Sequence, residues 1–403
     1  MTFDPPQKDD RLWVARAIEL AERGLNTTTP NPRVGCVFVQ QGEAIGEGWH
    51  VRTGDAHAEI HALNAARETV AAREQANAEL APGQSALAPI EVKGCTAYVS
   101  LEPCSHTGRT GPCCDALIEA GVGRVVVAMQ DPNPLVRGQG IARLQKAGVT
   151  VTVGVMEAEA RALNPGFISR MTKGLPWVRL KIGMSLDGRT ALGNGVSQWI
   201  TSEESRADAH AYRARSCAVL TGIGTLLADD PALTVRHIPC ERQPLRVLID
   251  AHLEVPLTAK LLAEGHALVL TLEKTLATSI SNDGAARAEA LRAMGVTVLG
   301  VPAAHADSGH LDLVAAMKLL AEQGINEVLV EAGANLNAEL FKAGLVDECI
   351  FYISPQLLGM GAQGPASLGP LVELSKAFAL QFSHIDQIGP DLRVTAVPKI
   401  KQN

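Results

Sequence analysis

The first part of the chain alternates between helical and strand patterns of hydrophobic residues. Leu12, Ala15, Ile18 and Leu20 fall on one side of a predicted helix over residues 9–23, following the helical period. Six further elements or pairs are predicted: a hairpin of strands 34–39 and 44–49, a helix from 56 to about 73, strand 96–101, helix 113–120, strand 124–129, and helix 139–147 with strand 149–155. This order predicts an α/β/α domain, in which helices cover both faces of a mixed sheet.

Two segments interrupt the pattern. Residues 74–92 are rich in Ala, Glu, Gln and Pro, which indicates a helix extension followed by a surface loop. Residues 164–176 contain two prolines and two glycines, and we interpret them as a linker. The expected division is therefore a first domain over 1–163, a linker over 164–176 and a second domain over 177–403.

The second part repeats the alternation of strands and helices. Strands are predicted over 177–184, 217–221, 245–250, 267–272, 296–300, 327–331 and 347–353, and helices over 202–215, 285–294, 311–323 and 335–343. This pattern is typical of a second α/β domain.

Composition narrows the class of protein. Hydrophobic residues make up 46% of the 403 residues and charged residues 20%, which is typical of a folded protein. A net charge of −7 argues against a general nucleic-acid binder, but a small phosphorylated substrate needs only a few local cations. No apolar run reaches about 18 residues and the first ten residues lack a signal-peptide pattern, so we expect no membrane partner and a cytoplasmic location.

The cysteines are concentrated in the first domain. Of eight cysteines, Cys36, Cys95, Cys104, Cys113 and Cys114 precede residue 115. In a long cytoplasmic chain such cysteines are buried thiols or metal ligands rather than a disulfide framework. A metal site is therefore expected in the first domain.

One group of residues has the chemistry of a catalytic zinc site. His57 begins a predicted helix, Cys104 follows a predicted strand and Cys113 begins the next helix. An imidazole and two thiolates leave the fourth zinc position open for water, whose pKa the metal lowers to about 7. Glu59 is then available to move protons between this water and a substrate, as in the zinc deaminases.

Two other interpretations of the same residues are open. Cys114 would be the fourth ligand if the zinc were structural, although adjacent cysteines rarely reach one metal and Glu59 would then have no role. The thiols would also need no metal if they were simply buried.

The motifs around these residues resemble the bifunctional riboflavin-biosynthesis deaminase/reductase family. They are the segments 29–37 (TPNPRVGCV), 48–50 (GWH), 57–59 (HAE), 101–113 (LEPCSHTGRTGPC) and 131–134 (DPNP). The resemblance implies one Zn²⁺ per chain on His57, Cys104 and Cys113, with Glu59 as the proton shuttle. It also implies substrate contacts from Asn31, His50, His106, Arg109, Asp131 and Asn133.

These polar residues also have ordinary structural interpretations. Asn31, between two prolines, suits a turn, and Asp131 and Asn133 suit the cap of the following helix. Two departures from the family pattern are visible: the interval between His57 and Cys104 is longer, and Gly111 stands where a second proline is common.

In the second domain, the turns at 221–225 and 331–335 suit either a phosphate or a simple strand–helix junction. The segments 181–191, 197–201, 222–236 and 330–333 nevertheless resemble the reductase domain of the same family, which is similar in fold to dihydrofolate reductase. The resemblance implies NADPH contacts at Gly183, Trp199, Thr225, Asp229, Gly333, Ala334, Asn335, Leu336, Asn337, Ala338 and Glu339. It implies substrate contacts at Ser197, Arg213, Leu233, Arg236 and Glu331.

The family resemblance implies two consecutive reactions and a homo-oligomer. The first is hydrolytic deamination of 2,5-diamino-6-(5-phosphoribosylamino)pyrimidin-4-one, and the second is NADPH-dependent reduction of the ribosyl chain to give 5-amino-6-(5-phosphoribitylamino)uracil. A nucleic-acid deaminase would instead show a basic surface and a two-residue cysteine interval. The other alternative is a regulatory protein with a degenerate reductase-like domain. An assay of both reactions would distinguish this alternative from the bifunctional enzyme.

Overall fold

The computed structural model describes residues 3–81, 84–105, 111–277, 283–306 and 308–399. The chain forms two compact units, Met1–Lys173 and Gly174–Asn403. None of the helices in these ranges combines the length and apolar character needed to cross a bilayer.

The first unit is an α/β/α sandwich, as predicted. Its elements are α1 (Asp10–Glu22), β1 (Gly35–Gln40), β2 (Glu43–Trp49), α2 (Ala58–Ala78), β3 (Thr96–Val99), α3 (Cys113–Glu119), β4 (Arg124–Val127), α4 (Gln139–Lys146), β5 (Thr150–Val153), α5 (Glu157–Leu163) and α6 (Pro165–Lys173). The strand order is β2-β1-β3-β4-β5. Strand β1 is antiparallel to both neighbours, whereas β3, β4 and β5 are parallel.

Alternation along the strands divides the core between the two faces of the sheet. Cys36 and Phe38 of β1 pack with Ala62 of α2 and Leu117 of α3. Val37 on the same strand packs on the opposite face, in a cluster with residues of α1. Because successive strand residues point to opposite faces, one buried strand serves both layers.

A close helix–strand contact positions the start of α2. A Cβ atom on Gly48 of β2 would lie 2.3 Å from the backbone nitrogen of Ala62 in α2. Only glycine permits this approach. It brings the first turn of α2, with His57 immediately before it, against the sheet.

The predicted linker over 164–176 is largely helical. Residues 165–173 form α6, which begins with Pro165 at a position where proline is well tolerated. Asn164 is buried and exchanges two 2.8 Å hydrogen bonds with the backbone of Arg33. The helix and its preceding asparagine therefore belong to the first unit, and the division between the units falls after Lys173, inside the range 164–176.

The second unit is built on one large sheet. Its elements are β6 (Trp177–Ser185), α7 (Glu203–Arg215), β7 (Ala218–Gly222), α8 (Ile223–Asp229), β8 (Leu245–Ile249), β9 (Ala267–Leu272), α9 (Glu273–Leu276), α10 (Gly284–Ala293), β10 (Thr297–Val301), α11 (Leu313–Glu322), β11 (Glu327–Val330), α12 (Ala334–Lys342), β12 (Glu348–Ser354), β13 (Leu380–Ile388) and β14 (Asp391–Pro398), with short 3-10 helices at Lys260–Gly265 and Leu374–Lys376. The strand order is β10-β9-β8-β7-β11-β6-β12-β14-β13. In this order, the seven strands from β10 through β12 are all parallel to one another. Strands β13 and β14 form an antiparallel hairpin at one edge.

This hairpin was not predicted from the sequence. Strand β13 lies at the sheet edge, and most of its residues are exposed, including Phe382 and Ile385. An exposed edge strand lacks the polar-out, apolar-in alternation that identifies a half-buried strand. The seven predicted strands of the second unit are all present.

Candidate active sites in the two units

Three side chains of the first unit form a candidate metal centre. His57 lies immediately before α2, Cys104 follows β3, and Cys113 is the first residue of α3. The Nδ1 atom of His57 lies 3.5 Å from Cys104 Sγ and 3.3 Å from Cys113 Sγ. The three potential ligand atoms all lie within 4.8 Å of one another.

These separations fit zinc. A tetrahedral zinc at about 2.3 Å from sulfur and about 2.0 Å from nitrogen places the two atoms about 3.5 Å apart. Hydrogen bonds from the Cys113 thiol and then from His57 lower the pKa of Cys104 to about 4, so the donor set already favours a thiolate. The residues present therefore suit a zinc ion.

Cys114 does not complete a closed, four-ligand site. Among the described residues, the group of potential ligands contains only the three side chains above. Cys114 instead packs in the core with Leu117, and burial raises the pKa of its thiol to about 11. The arrangement leaves the fourth position open, as in catalytic zinc sites.

Glu59 lies in the first turn of α2, two residues beyond His57, and is 4% exposed. Burial, followed by the nearby Cys104 charge, raises its pKa to about 7. The carboxyl group also contacts the Cys113 thiol. Its position beside the ligands and outside the ligand group suits a group that moves protons.

Asn31 and His50 lie together beside the metal ligands. The Asn31 amide nitrogen lies 3.1 Å from His50 Nε2, and His50 Nδ1 lies 3.1 Å from the Ala56 carbonyl oxygen. The His50 and His57 rings meet edge to face, with centroids 5.5 Å apart. Burial lowers the pKa of His50, so a neutral ring donates to Ala56 through Nδ1 and accepts from Asn31 through Nε2.

Asp131 and Asn133 lie in the loop after β4, at the same sheet edge as Cys104. Asp131, Cys104 and Ser105 line one small cavity. The Asn133 backbone donates to Asp131 Oδ1 at 2.8 Å, and the Leu135 backbone donates to Asn133 Oδ1 at 3.1 Å. The residue before α4 is Gly138, so the two side chains stabilise the turn that precedes this helix and do not occupy its N-cap position. His106 and Arg109 lie outside the described residues.

In the second unit, two strand–helix turns meet at the carboxyl edge of the sheet. Glycines 222 and 333 precede α8 and α12, and their strands β7 and β11 are neighbours. A Cβ atom on Gly333 would lie 3.4 Å from Thr225 Oγ1. The residue before α12 is Gly333, which has no side chain to cap the helix. The turn therefore presents backbone N–H groups of the kind that bind phosphate.

The other residues predicted to contact the cofactor differ in how exposed they are. Trp199 is 68% exposed, and the guanidinium of Arg206 lies 4.5 Å from its ring centre. Asp229 ends α8 and is exposed. Asn337 and Ala338 are buried, and the Asn337 amide donates to the carbonyls of Ala332 and Pro365. The side chains of this last pair therefore support the protein fold.

Arg213 and Glu331 form a half-buried ion pair beside these turns. Two guanidinium nitrogens of Arg213 donate to the Glu331 carboxylate at 2.5 and 2.9 Å. Burial alone would raise the pKa of Glu331, but the charge and hydrogen bonds of Arg213 lower it to about 2. The pair therefore remains charged at neutral pH.

The predicted substrate loop lies next to this pair. Arg213 donates to the Thr234 carbonyl at 2.8 Å, and the Arg236 backbone donates to His210 Nδ1 at 3.0 Å. The Arg236 side chain is exposed. Leu233 is 2% exposed and packs in the core, so only its backbone is available to a ligand. Ser197 is half-buried in the loop before α7.

Lys181 was not assigned a role from the sequence. Its Nζ atom would lie 3.8 Å from a Cβ atom on Gly183, and Glu331 is its largest favourable charge partner. Burial lowers the pKa of this amine. The only sequence signal was its place in the segment 181–191, because alternation along β6 does not distinguish a buried lysine with a chemical role from a structural one.

Both units match known protein families. Residues 7–129 match the cytidine and deoxycytidylate deaminase zinc-binding region, and residues 176–394 match the RibD C-terminal domain. The riboflavin biosynthesis protein RibD of Escherichia coli K12 is 46% identical over 95% of this chain and 98% of its own length. That of Bacillus amyloliquefaciens is 39% identical over 97% of this chain and 96% of its own length.

Solved structures agree over the full length. The RibD structure from Acinetobacter baumannii has 38% identity and a TM-score of 0.83, covering 98% of this chain and 99% of the other. A diaminohydroxyphosphoribosylaminopyrimidine deaminase/5-amino-6-(5-phosphoribosylamino)uracil reductase from Thermotoga maritima has 30% identity and a TM-score of 0.78, covering 97% and 99%.

Proposed function

Because this chain belongs to the RibD family of riboflavin-biosynthesis proteins, we propose that it catalyses both the deamination and the reduction named for its relatives. It is a bifunctional enzyme with a zinc-dependent, cytidine-deaminase-like unit and an NADPH-dependent, dihydrofolate-reductase-like unit. The observation that carries the deaminase assignment is the open His57, Cys104 and Cys113 group beside the buried Glu59.

In the deaminase unit, zinc supplies Lewis acidity that makes water reactive at neutral pH. Glu59 takes a proton from the attacking water and delivers one to the departing amino nitrogen, so that ammonia leaves as the ring carbon gains oxygen. Asn31 and His50, whose positions are coupled by their hydrogen bond, orient the pyrimidine. Asp131 and Asn133 bind the ribose phosphate side, together with His106 and Arg109.

In the reductase unit, NADPH would supply the hydride for reduction of the ribosyl chain. Gly183, Trp199, Thr225, Asp229 and residues 333–339, which lead into and begin α12, would hold the cofactor. Backbone N–H groups at the start of α12 would bind its phosphates. Ser197, the backbone of Leu233, Arg236 and the Arg213–Glu331 pair hold the substrate.

We further propose Lys181 as the proton donor of the reduction. When hydride adds to the anomeric carbon, the sugar ring oxygen becomes a hydroxyl and requires one proton. The Nζ atom of Lys181 is close to the proposed cofactor contact Gly183 and interacts with the charge of the proposed substrate contact Glu331. Burial lowers its pKa, which brings the amine closer to the range of an effective general acid at neutral pH.

A coupled assay tests the proposed function. Purified protein is given the diaminopyrimidine phosphate, and ammonia release and NADPH oxidation are followed together. We expect about one NADPH oxidised per ammonia released. If ammonia is released but added NADPH is not oxidised, even when the deaminated intermediate is supplied directly, the second unit is catalytically degenerate.

We also propose a cytoplasmic homo-oligomer. Two large apolar side chains of the edge strand β13, Phe382 and Ile385, are exposed, and exposed apolar surface is a feature of contact sites. Sedimentation of the purified protein over a range of concentrations tests the oligomer, and a monomer at every concentration would contradict it.

A further inference from the structure

Glu102 is a buried carboxylate whose surroundings link the two parts of the deaminase site. It stands two residues before Cys104, is 6% exposed, and donates its backbone N–H to the Met129 carbonyl at 3.0 Å. Its backbone therefore joins the end of β3 to the end of β4, at the edge where the metal ligand and the loop with Asp131 meet.

The Glu102 carboxylate accepts four backbone hydrogen bonds. Oε2 accepts from Asp131 at 3.1 Å and from Gly138 at 2.9 Å. Oε1 accepts from Gly140 at 3.0 Å and from Ile141 at 3.3 Å. Within the described ranges no cationic side chain pairs with it, so its interactions are with the loop and helix backbone.

Two of these bonds cap helix α4. The residue before α4 is Gly138, which has no side chain to satisfy the free N–H groups of the first turn. Glu102 supplies the acceptor for Gly140 and Ile141 from another part of the chain, and its negative charge suits the helix N-terminus. A Cβ atom on Gly140 would lie 2.1 Å from the Pro103 carbonyl oxygen, so α4 contacts the backbone immediately before Cys104.

The other two bonds enclose the loop between β4 and α4. Asp131 and Gly138 mark its ends, and Asn133 lies between them, with its backbone N–H bonded to Asp131 Oδ1. A single carboxylate thus holds both ends of the segment 131–138 at a set distance from Cys104. Positions of this kind determine whether a substrate reaches the reacting groups correctly.

We propose that Glu102 is a positioning residue of the deaminase, which holds the substrate-binding segment 131–138 in register with the metal centre. This inference rests on the proposed contacts of Asp131 and Asn133 with the substrate. Glu102 itself contacts neither metal nor substrate and acts through the loop.

The test is the Glu102→Gln variant of the full-length zinc-loaded protein. The amide has only one accepting oxygen, so its NH₂ group must face either the two loop N–H donors or the two donors of α4, and the side chain can no longer hold both. We expect kcat/KM for deamination to fall by about 100-fold, mainly through a higher KM for the diaminopyrimidine phosphate. The zinc content, and reduction of the deaminated intermediate, should match the parent.

Asp10→Asn is the matched control. Asp10 is a buried carboxylate of the same unit, bonded to Arg124 at 2.7 and 2.8 Å at the amino end of β4. The Asp10→Asn variant should have a lower unfolding temperature and an unchanged KM, because a smaller folded fraction reduces kcat per mole of protein but leaves KM unchanged. An unchanged KM in Glu102→Gln, or loss of its zinc, would overturn the proposal.

Two further measurements keep the result decisive. If Glu102→Gln does not fold, Glu102→Asp retains the charge but is too short for all four bonds, and a parental KM in that variant would overturn the proposal. Asn133→Ala separates the premise from the inference: a parental KM in this variant would show that the assumed substrate contact is wrong. Absence of ammonia release by the parent would instead refute the proposed function.

Discussion

The buried Glu59 of the first unit and the half-buried Glu331 of the second have pKa values shifted in opposite directions. Among the described side chains, the charge of His57 favours ionised Glu59 but does not offset its burial, and the pKa of Glu59 is raised to about 7. Burial also acts on Glu331, but the bidentate Arg213 outweighs it and the pKa is lowered to about 2. A carboxylate that moves protons must change charge near neutral pH, whereas one that holds a ligand must remain charged.

The two sites also differ in which groups carry out the chemistry. In the mechanism proposed for the first unit, the protein provides the metal ligands and the proton shuttle, so the chemistry depends on a few residues. In the second unit NADPH would provide the hydride, and apart from the proton proposed for Lys181 the protein would provide mainly position and charge along a sheet edge. The comparison predicts that single substitutions have larger effects on the first reaction than on the second.

Cys104→Ser should produce the largest effect. Loss of a thiolate ligand should release zinc and reduce deamination to the assay background, because the remaining two ligands hold the ion poorly. Metal analysis together with ammonia release checks this, and reduction of deaminated intermediate should continue. Full zinc retention with parental deamination would remove Cys104 from the ligand set.

Glu59→Gln should retain zinc but lower kcat for deamination by about 100-fold or more, the scale of a positioned acid/base. The amide preserves the shape of the side chain but cannot carry the proton. The reductase reaction serves as the internal control. Loss of metal in this variant would show that Glu59 supports the ligands and is not a proton shuttle.

Lys181→Met should lower kcat for reduction by about 100-fold, with little change in the affinity for NADPH. The thioether fills much of the same space without a proton to donate. Lys376→Met, at an exposed ion pair with Glu373, is the control and should match the parent. Single-turnover hydride transfer measures the effect, and a parental rate would exclude Lys181 as the donor.

Arg236→Lys should weaken binding of the reductase substrate by about 10- to 100-fold. A guanidinium can hold a phosphate through two parallel bonds, which an ammonium reproduces poorly. Binding of the deaminated intermediate with and without its phosphate is measured for both proteins, which tests whether Arg236 contacts that phosphate. If the variant prefers the phosphorylated form as strongly as the parent does, Arg236 binds another part of the substrate.

The smallest effect is expected from cutting the chain between Lys173 and Gly174. Each unit has its own hydrophobic core, so both pieces should be soluble and unfold cooperatively. The first piece should retain zinc. Aggregation of both pieces, with a stable intact chain, would show that the units depend on each other.

Local patterns in the sequence determined much of this protein. The apolar segment around Val37 and Phe38 predicted a strand, and helix periodicity predicted the helices beside it. His57, Glu59, Cys104 and Cys113 identified the zinc chemistry because metal ligands require specific side chains. The family motifs around them identified the reaction.

Only the tertiary structure decided how distant residues act together. The role of Glu102 depends on four backbone N–H groups that follow it by 29 to 39 positions, and no local period records such a contact. The low pKa of Glu331 depends on Arg213, and the place of Lys181 depends on the pairing of β6 with β11. Burial, and the partner that offsets it, arise when strands and helices pack, and they set the charge of each group in the two sites.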